Sequence, residues 1–582
     1  MASEPPSATQ ISDWEIEEGL PQVTDQFIQQ YYQGREALIE QEKAQRSDTS
    51  FRQSLTPIAA AACAIVARIR AEEHQTIWTN DHVDDGAPSG VNHYPGMMFS
   101  LAKQRLEQSK TYQILQKMPK GALLHAHMDA MIDSDFLVDQ VLATPGMVLQ
   151  ASQHLGTAEA RKQASVTFHY SKSSEFAASS IWTDSYQPGQ LVPATVAADS
   201  FPHRGQEGFK AWVVERSTIT PDESLNHHHG LDAVWEKFRS CFMILGSMLR
   251  YEPIFRASLQ RLFHQLRQDG LQWADFRMAF VAKFWKEGRD HPEEGQEALF
   301  QAFGEELERF QSTEEGKGWW GCRFIWTTLR IYGKKDMVDH MKQCIAIKKA
   351  FPHLIAGYDV VGQEDMGRSL ADLTPELFWF KKRCMEEGVD IPFFFHAGEC
   401  LGDGDETDEN LFDAILLGTR RIGHGFSLFK HPLLIELVKQ KKILIEACPI
   451  SNEVLRLTSS IKAHPLPALL ARGVTVALCN DDPAVLGVGK NGLTHDFWQA
   501  LQGWENIGLE GLGSLAENSV RYAAYWPDQN SKEWNKDIKD GKYGEGIRAE
   551  RMREWTAEWN KFCQWIVMEF AEYGSDEDEE ET

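Results

Sequence analysis

The sequence lacks paired cysteines and an apolar N-terminal run. Its nine cysteines are scattered along 582 residues, and no CxxC pair occurs among them. An odd number of irregularly spaced cysteines argues against a disulfide framework. Residues 1–20 are polar and acidic, so they do not match the apolar core of a signal peptide. We therefore expect a reduced, cytoplasmic protein.

The sequence also has little positive charge and no long hydrophobic run. Lys and Arg total 59 against 85 Asp and Glu, which gives a formal net charge of −26. Such an acidic surface disfavours binding to nucleic acid and to anionic membranes. The most apolar early segment, residues 57–67, is too short to span a bilayer. These absences predict a protein with no nucleic-acid partner and no membrane partner.

What the sequence does contain is a long alternation of short apolar runs and helical stretches. A hydrophobic content of 42% is enough for a large core. Eight apolar runs that end in polar residues are candidate strands, at residues 122–127, 273–278, 323–329, 354–361, 392–396, 421–423, 443–447 and 474–478. Strands that alternate with helices predict a parallel sheet in the α/β class, and eight alternations predict a (β/α)8 TIM barrel.

The segments outside this alternation predict the domain organisation. Residues 1–15 and the acidic tail at 574–582 are expected to be disordered. Residues 16–117 are expected to form a helical N-terminal extension, which could pair two copies of the chain or simply pack on the barrel. The barrel is expected to span residues 118–573, with a long insertion at about 147–226 after the first strand. An insertion in this loop could form a substrate lid or an accessory subdomain.

Four short motifs follow the first, fifth, sixth and eighth predicted strands. They are HAH at 125–127, HAGE at 396–399, GHG at 423–425 and NDDP at 480–483. Active sites of TIM barrels lie at the C-terminal ends of the strands, so we expect the four motifs to meet. Three imidazoles and one carboxylate make a ligand set for a divalent ion such as zinc, with a position left for water. The remaining polar groups are then free for proton transfer and substrate orientation.

Each motif alone has a simpler explanation. His125 and His127 could be a structural pair, and His396 could be a core histidine with a partner. Asp481 and Asp482 could lie in a solvated turn, because two carboxylates at a buried strand end repel each other unless a cation or donors offset them. The coincidence of all four motifs at one face of the barrel favours the metal site over these separate explanations.

The four motifs resemble those of the adenosine deaminase superfamily. Longer stretches narrow the resemblance to its growth-factor-related branch, namely MPKGALLH at 118–125, IAGYD at 355–359 with VG at 361–362, CPISN at 448–452 and DDPA at 481–484. The helical N-terminal extension and the long insertion agree with this branch. The resemblance covers roughly residues 118–498 and implies a TIM-barrel aminohydrolase with one zinc ion per chain.

The resemblance implies roles for the residues around the metal. The implied Zn2+ ligands are His125, His127, His396 and Asp481. His424 would orient the attacking water and help to accept its proton, and Asp481 would also hold that water. Glu399 would be the acid that protonates purine N1, a role that requires a raised pKa at neutral pH.

The resemblance also implies the groups that bind the substrate. Asp482 would form a hydrogen bond with purine N7, and the backbone N–H of Gly362 would donate to N3. Asp129 would bind the ribose 5′-hydroxyl, where its charge would repel a phosphate; as an alternative, it could cap the helix after the first strand. Trp182 in the insertion could cap the pocket, or it could be a packed or exposed tryptophan with no role in binding.

The sequence-based hypothesis is therefore the zinc-dependent hydrolytic deamination of a 6-aminopurine nucleoside. The substrate would be adenosine or 2′-deoxyadenosine, and the products inosine or 2′-deoxyinosine and ammonia. One alternative is a deaminase of AMP or of an N6-substituted adenine nucleotide, and another is a non-catalytic signalling or scaffold protein that retains the fold. The resemblance implies a homodimer built by the N-terminal helices. Secreted members of the branch carry a signal peptide and a disulfide in the insertion, and neither is evident here, so extracellular growth-factor activity is not expected.

Overall fold

The computed structural model describes residues 13–574, except residues 80–92, 174, 175, 177, 178, 227, 229, 490 and 491. The two ends that were predicted to be disordered, residues 1–15 and 574–582, lie almost entirely outside the described residues. Only the last three residues of the first segment and the first residue of the second are described, and a short helix begins at Asp13.

The N-terminal part of the described chain is helical. Its helices are α1 (Asp13–Glu17), α2 (Gln26–Lys43), α3 (Thr49–Gln53), α4 (Pro57–Thr76), α5 (Phe99–Leu106) and α6 (Lys110–Lys117). Helix α4 buries an apolar stripe that includes Ile65 and Ile69, and Thr56 caps its first turn by accepting a hydrogen bond from the Ala59 N–H. Helix α2 buries none of its residues.

The first barrel strand is followed by an insertion with its own small sheet. From the first barrel strand to the second, the elements in chain order are β1 (Gly121–His127), α7 (Ser134–Ala143), β2 (Met147–Ala151), α8 (Ala158–Gln163), β3 (Val166–Tyr170), β4 (Val192–Pro193), α9 (Ala194–Asp199), α10 (Gly205–Arg216), α11 (Pro221–Leu225), α12 (Gly230–Met248) and α13 (Glu252–Gln268). Strands β3, β2 and β4 pair in that order, and both pairings are antiparallel. The insertion is therefore a compact α+β unit, which the sequence alone did not predict.

The rest of the barrel alternates strand and helix. Its elements are β5 (Leu271–Ala279), α14 (Glu297–Gln311), β6 (Gly321–Leu329), α15 (Lys334–Ala350), β7 (Ile355–Val361), α16 (Leu370–Glu386), β8 (His396–Ala397), α17 (Asn410–Leu416), β9 (Arg421–His424), α18 (Pro432–Lys441), β10 (Leu444–Ala447), α19 (Pro449–Val454), α20 (Leu466–Ala471) and β11 (Val476–Leu478). Strands β5 and β6 are buried along almost their whole length, as expected for a parallel sheet that is covered on both faces.

The eight predicted strands form a closed parallel barrel, which confirms the predicted fold class. Strands β1, β5, β6 and β7 pair in order, and so do β8, β9, β10 and β11. Two parallel bridges join these halves, from Tyr358 to Phe393 and from Ala126 to Asp481. At the second junction, the His127 N–H donates to the Asp481 carbonyl and the Asp481 N–H donates to the His125 carbonyl. Barrel closure thus uses the backbone of three predicted metal ligands.

The C-terminal helices join the barrel to the N-terminal extension. They are α21 (Gly492–Gly503), α22 (Gly508–Tyr522), α23 (Ser531–Asp540) and α24 (Gly546–Glu569). Helix α22 packs against β1 and β11 on one side and against α3 and α4 on the other, and α24 packs along α4. An ion pair between Arg52 and Glu510 adds to the contact between α3 and α22.

Two further observations bear on the composition. Each of the nine cysteines is a free thiol. Within the described ranges, no helix combines the length and the apolar character that a membrane crossing requires.

Candidate active site

Four side chains converge at the C-terminal ends of the barrel strands. His125 and His127 leave β1, His396 begins β8, and Asp481 follows β11. One ligand atom from each residue lies within 4.8 Å of the others. The Asp481 Oδ1 atom is 3.3 Å from His125 Nε2 and 3.4 Å from His127 Nε2. Two ligands of a tetrahedral ion, each about 2.0–2.1 Å from it, lie about 3.3 Å apart, so these separations fit one small cation.

The state of the ligand atoms also fits a metal. His125 Nε2 and Asp481 Oδ1 are buried and have no hydrogen-bond partner among the described residues, although buried polar atoms are nearly always paired. Burial lowers the pKa of His127 and His396, which favours the neutral imidazoles that bind metals. A set of three imidazole nitrogens and one carboxylate oxygen suits zinc and leaves room for water.

Two buried carboxylates orient the imidazoles, and one arginine holds both. His125 Nδ1 is 2.8 Å from Glu446 Oε2, and His396 Nδ1 is 2.6 Å from Asp359 Oδ2. Because a carboxylate only accepts, each Nδ1 carries the proton and each Nε2 keeps its lone pair for a metal. The fully buried Arg277 on β5 donates to Asp359 Oδ2 at 2.8 Å and to Glu446 Oε2 at 2.7 Å.

Glu399 and His424 lie next to the ligand cluster. His424 Nε2 is 3.6 Å from Glu399 Oε1 and 3.7 Å from Asp481 Oδ2. Burial and then the nearby Asp481 carboxylate raise the pKa of Glu399 well above its usual range, so this carboxyl holds a proton at neutral pH. His424 (φ 62°) and Asp481 (φ 56°) both have left-handed backbones. Non-glycine residues rarely adopt this conformation, and strain of this kind clusters at functional sites.

The pKa values of the two adjacent aspartates are shifted in opposite directions. Neighbouring imidazoles, those of His424 and His125 first, outweigh the cost of burial and hold the pKa of Asp481 well below its usual range. Burial and then the Asp481 carboxylate raise the pKa of Asp482 well above its usual range. Both carboxyl oxygens of Asp482 are buried without a partner in the described part of the chain. The raised pKa favours the protonated form of Asp482, whose carboxyl can then offer a hydrogen bond to a ligand.

Gly362 and Asp129 occupy different parts of the same face. Gly362 follows β7 with φ 113°, and a Cβ at this position would meet no atom within 4 Å, so open space lies beside its backbone. Asp129 lies in a short 3-10 turn after β1, buried, with Oδ1 at 3.5 Å from Arg250. Asp129 does not cap the following helix, because the side chain of Asp133 accepts the hydrogen bond that caps α7.

Trp182 is not brought to the site. Its indole packs edge-to-face on Phe201 and Trp212, and its N–H donates to the Ala197 carbonyl at 2.9 Å. The side chain belongs to the core of the insertion, which corrects the expectation that it caps the pocket. The aromatic ring that does approach the ligands is Phe242 of α12, whose centroid is 6.1 Å from that of His127.

Comparison with known proteins places the chain in a family. The sequence model described as adenosine deaminase matches residues 220–540, more than half of the chain. The chain belongs to the adenosine deaminase family. The matched region contains His396, Glu399, His424 and both aspartates, and it begins after the His125–His127 pair.

Relatives of the adenosine deaminase family match over most of their length. Adenosine deaminase 2-A of Danio rerio is 32% identical over 448 residues, which cover 75% of this chain and 82% of that protein. Adenosine deaminase 2 of Homo sapiens is 30% identical over 457 residues, or 77% of this chain and 83% of that protein. Adenosine deaminase 2 of Dictyostelium discoideum is 29% identical over 93% of this chain and 88% of that protein. The predicted superfamily and branch are confirmed, and the chain is an aminohydrolase.

Several residues of this adenosine deaminase site were not predicted. Besides Asp359, Glu446 and Arg277, they include Glu364, which accepts the Glu399 backbone N–H at 2.9 Å, and Ser451, which donates to Asp481 Oδ2 at 2.8 Å. A signal existed for the first three, because each is a charged residue inside a largely apolar strand segment. Such a residue is buried only when it is paired.

The first prediction concerns Gly423, which precedes His424. A Cβ at this position would lie 2.8 Å from Cε1 and 3.1 Å from Nδ1 of His125. We expect Gly423→Ala to displace that imidazole and to weaken divalent-metal binding by about 10–100-fold. Elemental analysis after equilibration with a competing chelator measures this affinity. The control is Gly333→Ala at the start of α15, where a Cβ meets no atom within 4 Å. Equal metal retention in the two variants would contradict the prediction.

Proposed function

We propose that the protein deaminates a 6-aminopurine nucleoside, adenosine or 2′-deoxyadenosine, to the corresponding 6-oxopurine nucleoside and ammonia, with zinc as its metal. The observation that carries the proposal is the pair of buried carboxyls, Glu399 and Asp482, beside an unsatisfied ligand cluster; their raised pKa values favour the protonated forms. Purine N1, N3 and N7 are all hydrogen-bond acceptors. A site that recognises a purine ring therefore needs donors, which ionised carboxylates cannot supply.

The residues around the cluster divide the work of the reaction. A zinc ion held by His125, His127, His396 and Asp481 would lower the pKa of water, so that a nucleophile is available near neutral pH. Glu399 gives its proton to purine N1 as water adds to C6, and His424 orients that water. Asp482 donates to N7 and the Gly362 N–H to N3, so that the ring is fixed with C6 towards the water. Loss of ammonia from C6 then leaves the 6-oxopurine: the proton from Glu399 stays on N1, one proton of the water completes the ammonia, and the other restores Glu399.

The choice of a nucleoside depends on the 5′ end of the pocket. We propose that Asp129 accepts a hydrogen bond from the ribose 5′-hydroxyl, at a position where a carboxylate disfavours a phosphate. Arg250 restrains this carboxyl and donates to the Ala279 carbonyl at 3.3 Å. Two basic residues of the insertion that could meet a phosphate, Lys172 and Arg204, are both exposed, and Arg204 is paired with Glu207.

We also propose that the chain forms a homodimer through α2. Phe27, Tyr31 and Leu38 lie on one face of this helix at a spacing of i, i+4 and i+11, and all three are more than half exposed. An exposed apolar face of this kind is typical of an interface.

We also propose that the protein is cytoplasmic and reduced, which the nine free thiols support.

The second prediction tests the acid. Glu399→Gln removes the transferable proton but keeps the shape, so we expect kcat on adenosine to fall by about 10²–10⁴-fold with the zinc content unchanged. Ammonia release and elemental analysis measure the two quantities. The control is Glu436→Gln on the exposed face of α18. Loss of zinc in Glu399→Gln would show that Glu399 has been misassigned.

The third prediction compares substrates. We expect adenosine and 2′-deoxyadenosine to be deaminated in preference to AMP and N6-methyladenosine when the 6-oxopurine products are quantified side by side by chromatography. Asp129→Asn should lower kcat/KM for adenosine by about 10–100-fold, because a hydrogen bond to a charged group contributes about 1.5–3 kcal/mol. The same variant should change kcat/KM for 5′-deoxyadenosine much less. A clear preference for AMP would favour the nucleotide alternative, and no ammonia from any purine would favour the non-catalytic one.

The fourth prediction tests the dimer. Replacement of Phe27, Tyr31 and Leu38 by serine should convert the protein to monomers with an intact site, as measured by analytical ultracentrifugation and zinc content. The matched control replaces Gln33 and Glu36, on the opposite face of α2, by serine. Dimers that persist in the triple variant would rule out α2 as the interface.

A further inference from the structure

A chain of hydrogen bonds runs behind His424, on the side away from the metal ligands. The Leu466 backbone N–H donates to His464 Nδ1 at 3.0 Å. His464 Nε2 is 3.0 Å from Asn452 Oδ1, and Asn452 Nδ2 is 3.2 Å from His424 Nδ1. All three side chains are buried. Neither Asn452 nor His464 is in the metal ligand set or among the groups proposed to touch the purine.

The donors and acceptors along this series of hydrogen bonds follow from its first donor, the Leu466 N–H. A backbone N–H can only donate, so His464 Nδ1 must keep its lone pair. Burial lowers the pKa of His464 to about 3, so the ring is neutral and its single proton lies on Nε2. That N–H needs an acceptor, and the carbonyl oxygen of the Asn452 amide provides it. The NH2 of the same amide then faces His424.

The opposite orientation of the Asn452 amide is excluded because it would place two hydrogen-bond donors against each other. If Asn452 were rotated by half a turn, its NH2 would face the N–H of His464, and two donors would meet in a buried space. His424 would then face the amide oxygen. Since the Leu466 N–H determines the tautomer of His464, and His464 determines the amide, a single backbone group sets the polarity of the whole chain.

We infer that Asn452 and His464 are positioning residues that hold His424 in the tautomer with its proton on Nε2. The Nε2–H then points into the site, towards Glu399 Oε1 at 3.6 Å and Asp481 Oδ2 at 3.7 Å. His424 thus offers a donor to the reacting water. To accept a proton at Nε2, the ring would need its own proton on Nδ1, against the NH2 of Asn452. The inference rests on the proposed function only for its catalytic consequence.

The surroundings keep the two positioning residues in place. Asn452 lies on α19, and its neighbour Ser451 donates to Asp481, so one short helix orients both His424 and a predicted ligand. The His464 ring packs edge-to-face on Phe426 at 5.4 Å and lies 5.9 Å from Trp504. These two aromatic neighbours restrain the position of the imidazole.

The decisive variant is Asn452→Asp. A carboxylate of the same shape still accepts from His464 Nε2–H, but it also accepts on the other side and draws a proton to His424 Nδ1. We expect kcat on adenosine to fall by about 10–100-fold while KM changes little, because the substrate contacts are untouched. The tautomer itself is read from ¹⁵N chemical shifts of metal-free protein labelled at histidine. The signals of His424 are those that disappear in His424→Ala.

A second pair of variants separates the donor from the packing. His464→Phe keeps an aromatic ring but removes the N–H, and we expect a loss of kcat similar to that of Asn452→Asp. His464→Gln restores a donor at the position of Nε2 and should recover most of the lost kcat. A purely structural role would give the reverse order, because glutamine fits the space between Phe426 and Trp504 less well than phenylalanine.

The outcomes are distinguishable from failure of the proposed function. A proton on His424 Nδ1 in the wild-type spectrum, or an unchanged His424 tautomer in Asn452→Asp, would overturn the inference. A changed tautomer with unchanged kcat would also overturn its catalytic part. If the wild-type protein releases no ammonia from any purine, the proposed function fails, and the spectra still decide the tautomer.

Discussion

One buried guanidinium, that of Arg277, supports two of the four predicted metal ligands, His125 and His396. It joins Asp359 and Glu446, which come from strands on different sides of the barrel, and these carboxylates fix the imidazoles of His396 and His125. Glu446 also pairs with the buried Arg421, but Asp359 would lose its arginine partner without Arg277, and an uncompensated buried charge costs several kcal/mol. The orientation of these two imidazoles therefore depends on the Arg277 guanidinium, which acts on them through the two carboxylates.

The mouth of the barrel concentrates acidic groups that cannot all be ionised. Glu399, Asp481 and Asp482 share one enclosed space, where each charge opposes the next. The pKa of Asp481 is lowered, which favours its charged form, whereas the pKa of Glu399 and of Asp482 is raised, which favours their protonated forms. Burial, and then repulsion from the Asp481 carboxylate, raises the pKa of Glu399 and of Asp482 and so favours protonated carboxyls, which can donate hydrogen bonds to an acceptor-rich ring.

The sequence predicted the parts of the molecule that depend on local pattern. The eight strands could be found because each is a short apolar run, and the four motifs could be placed because parallel strands end at one face. Arg277 and Glu446 could not be paired from the sequence, since 169 residues separate them. The small sheet of the insertion was not predicted, because the pairing of its short strands depends on neighbouring strands and not on the sequence of each strand alone. Trp182 was misplaced because an indole suits a core and a pocket equally well.

The junction between β1 and β11 carries a consequence for the energetics of the fold. The backbone hydrogen bonds that close the barrel belong to His125, His127 and Asp481, whose side chains also form the ligand cluster. Anything that binds this cluster in the folded state adds its binding free energy to the closure of the sheet. A metal ion bound by this cluster would therefore also stabilise the junction between the first and the last strand of the barrel.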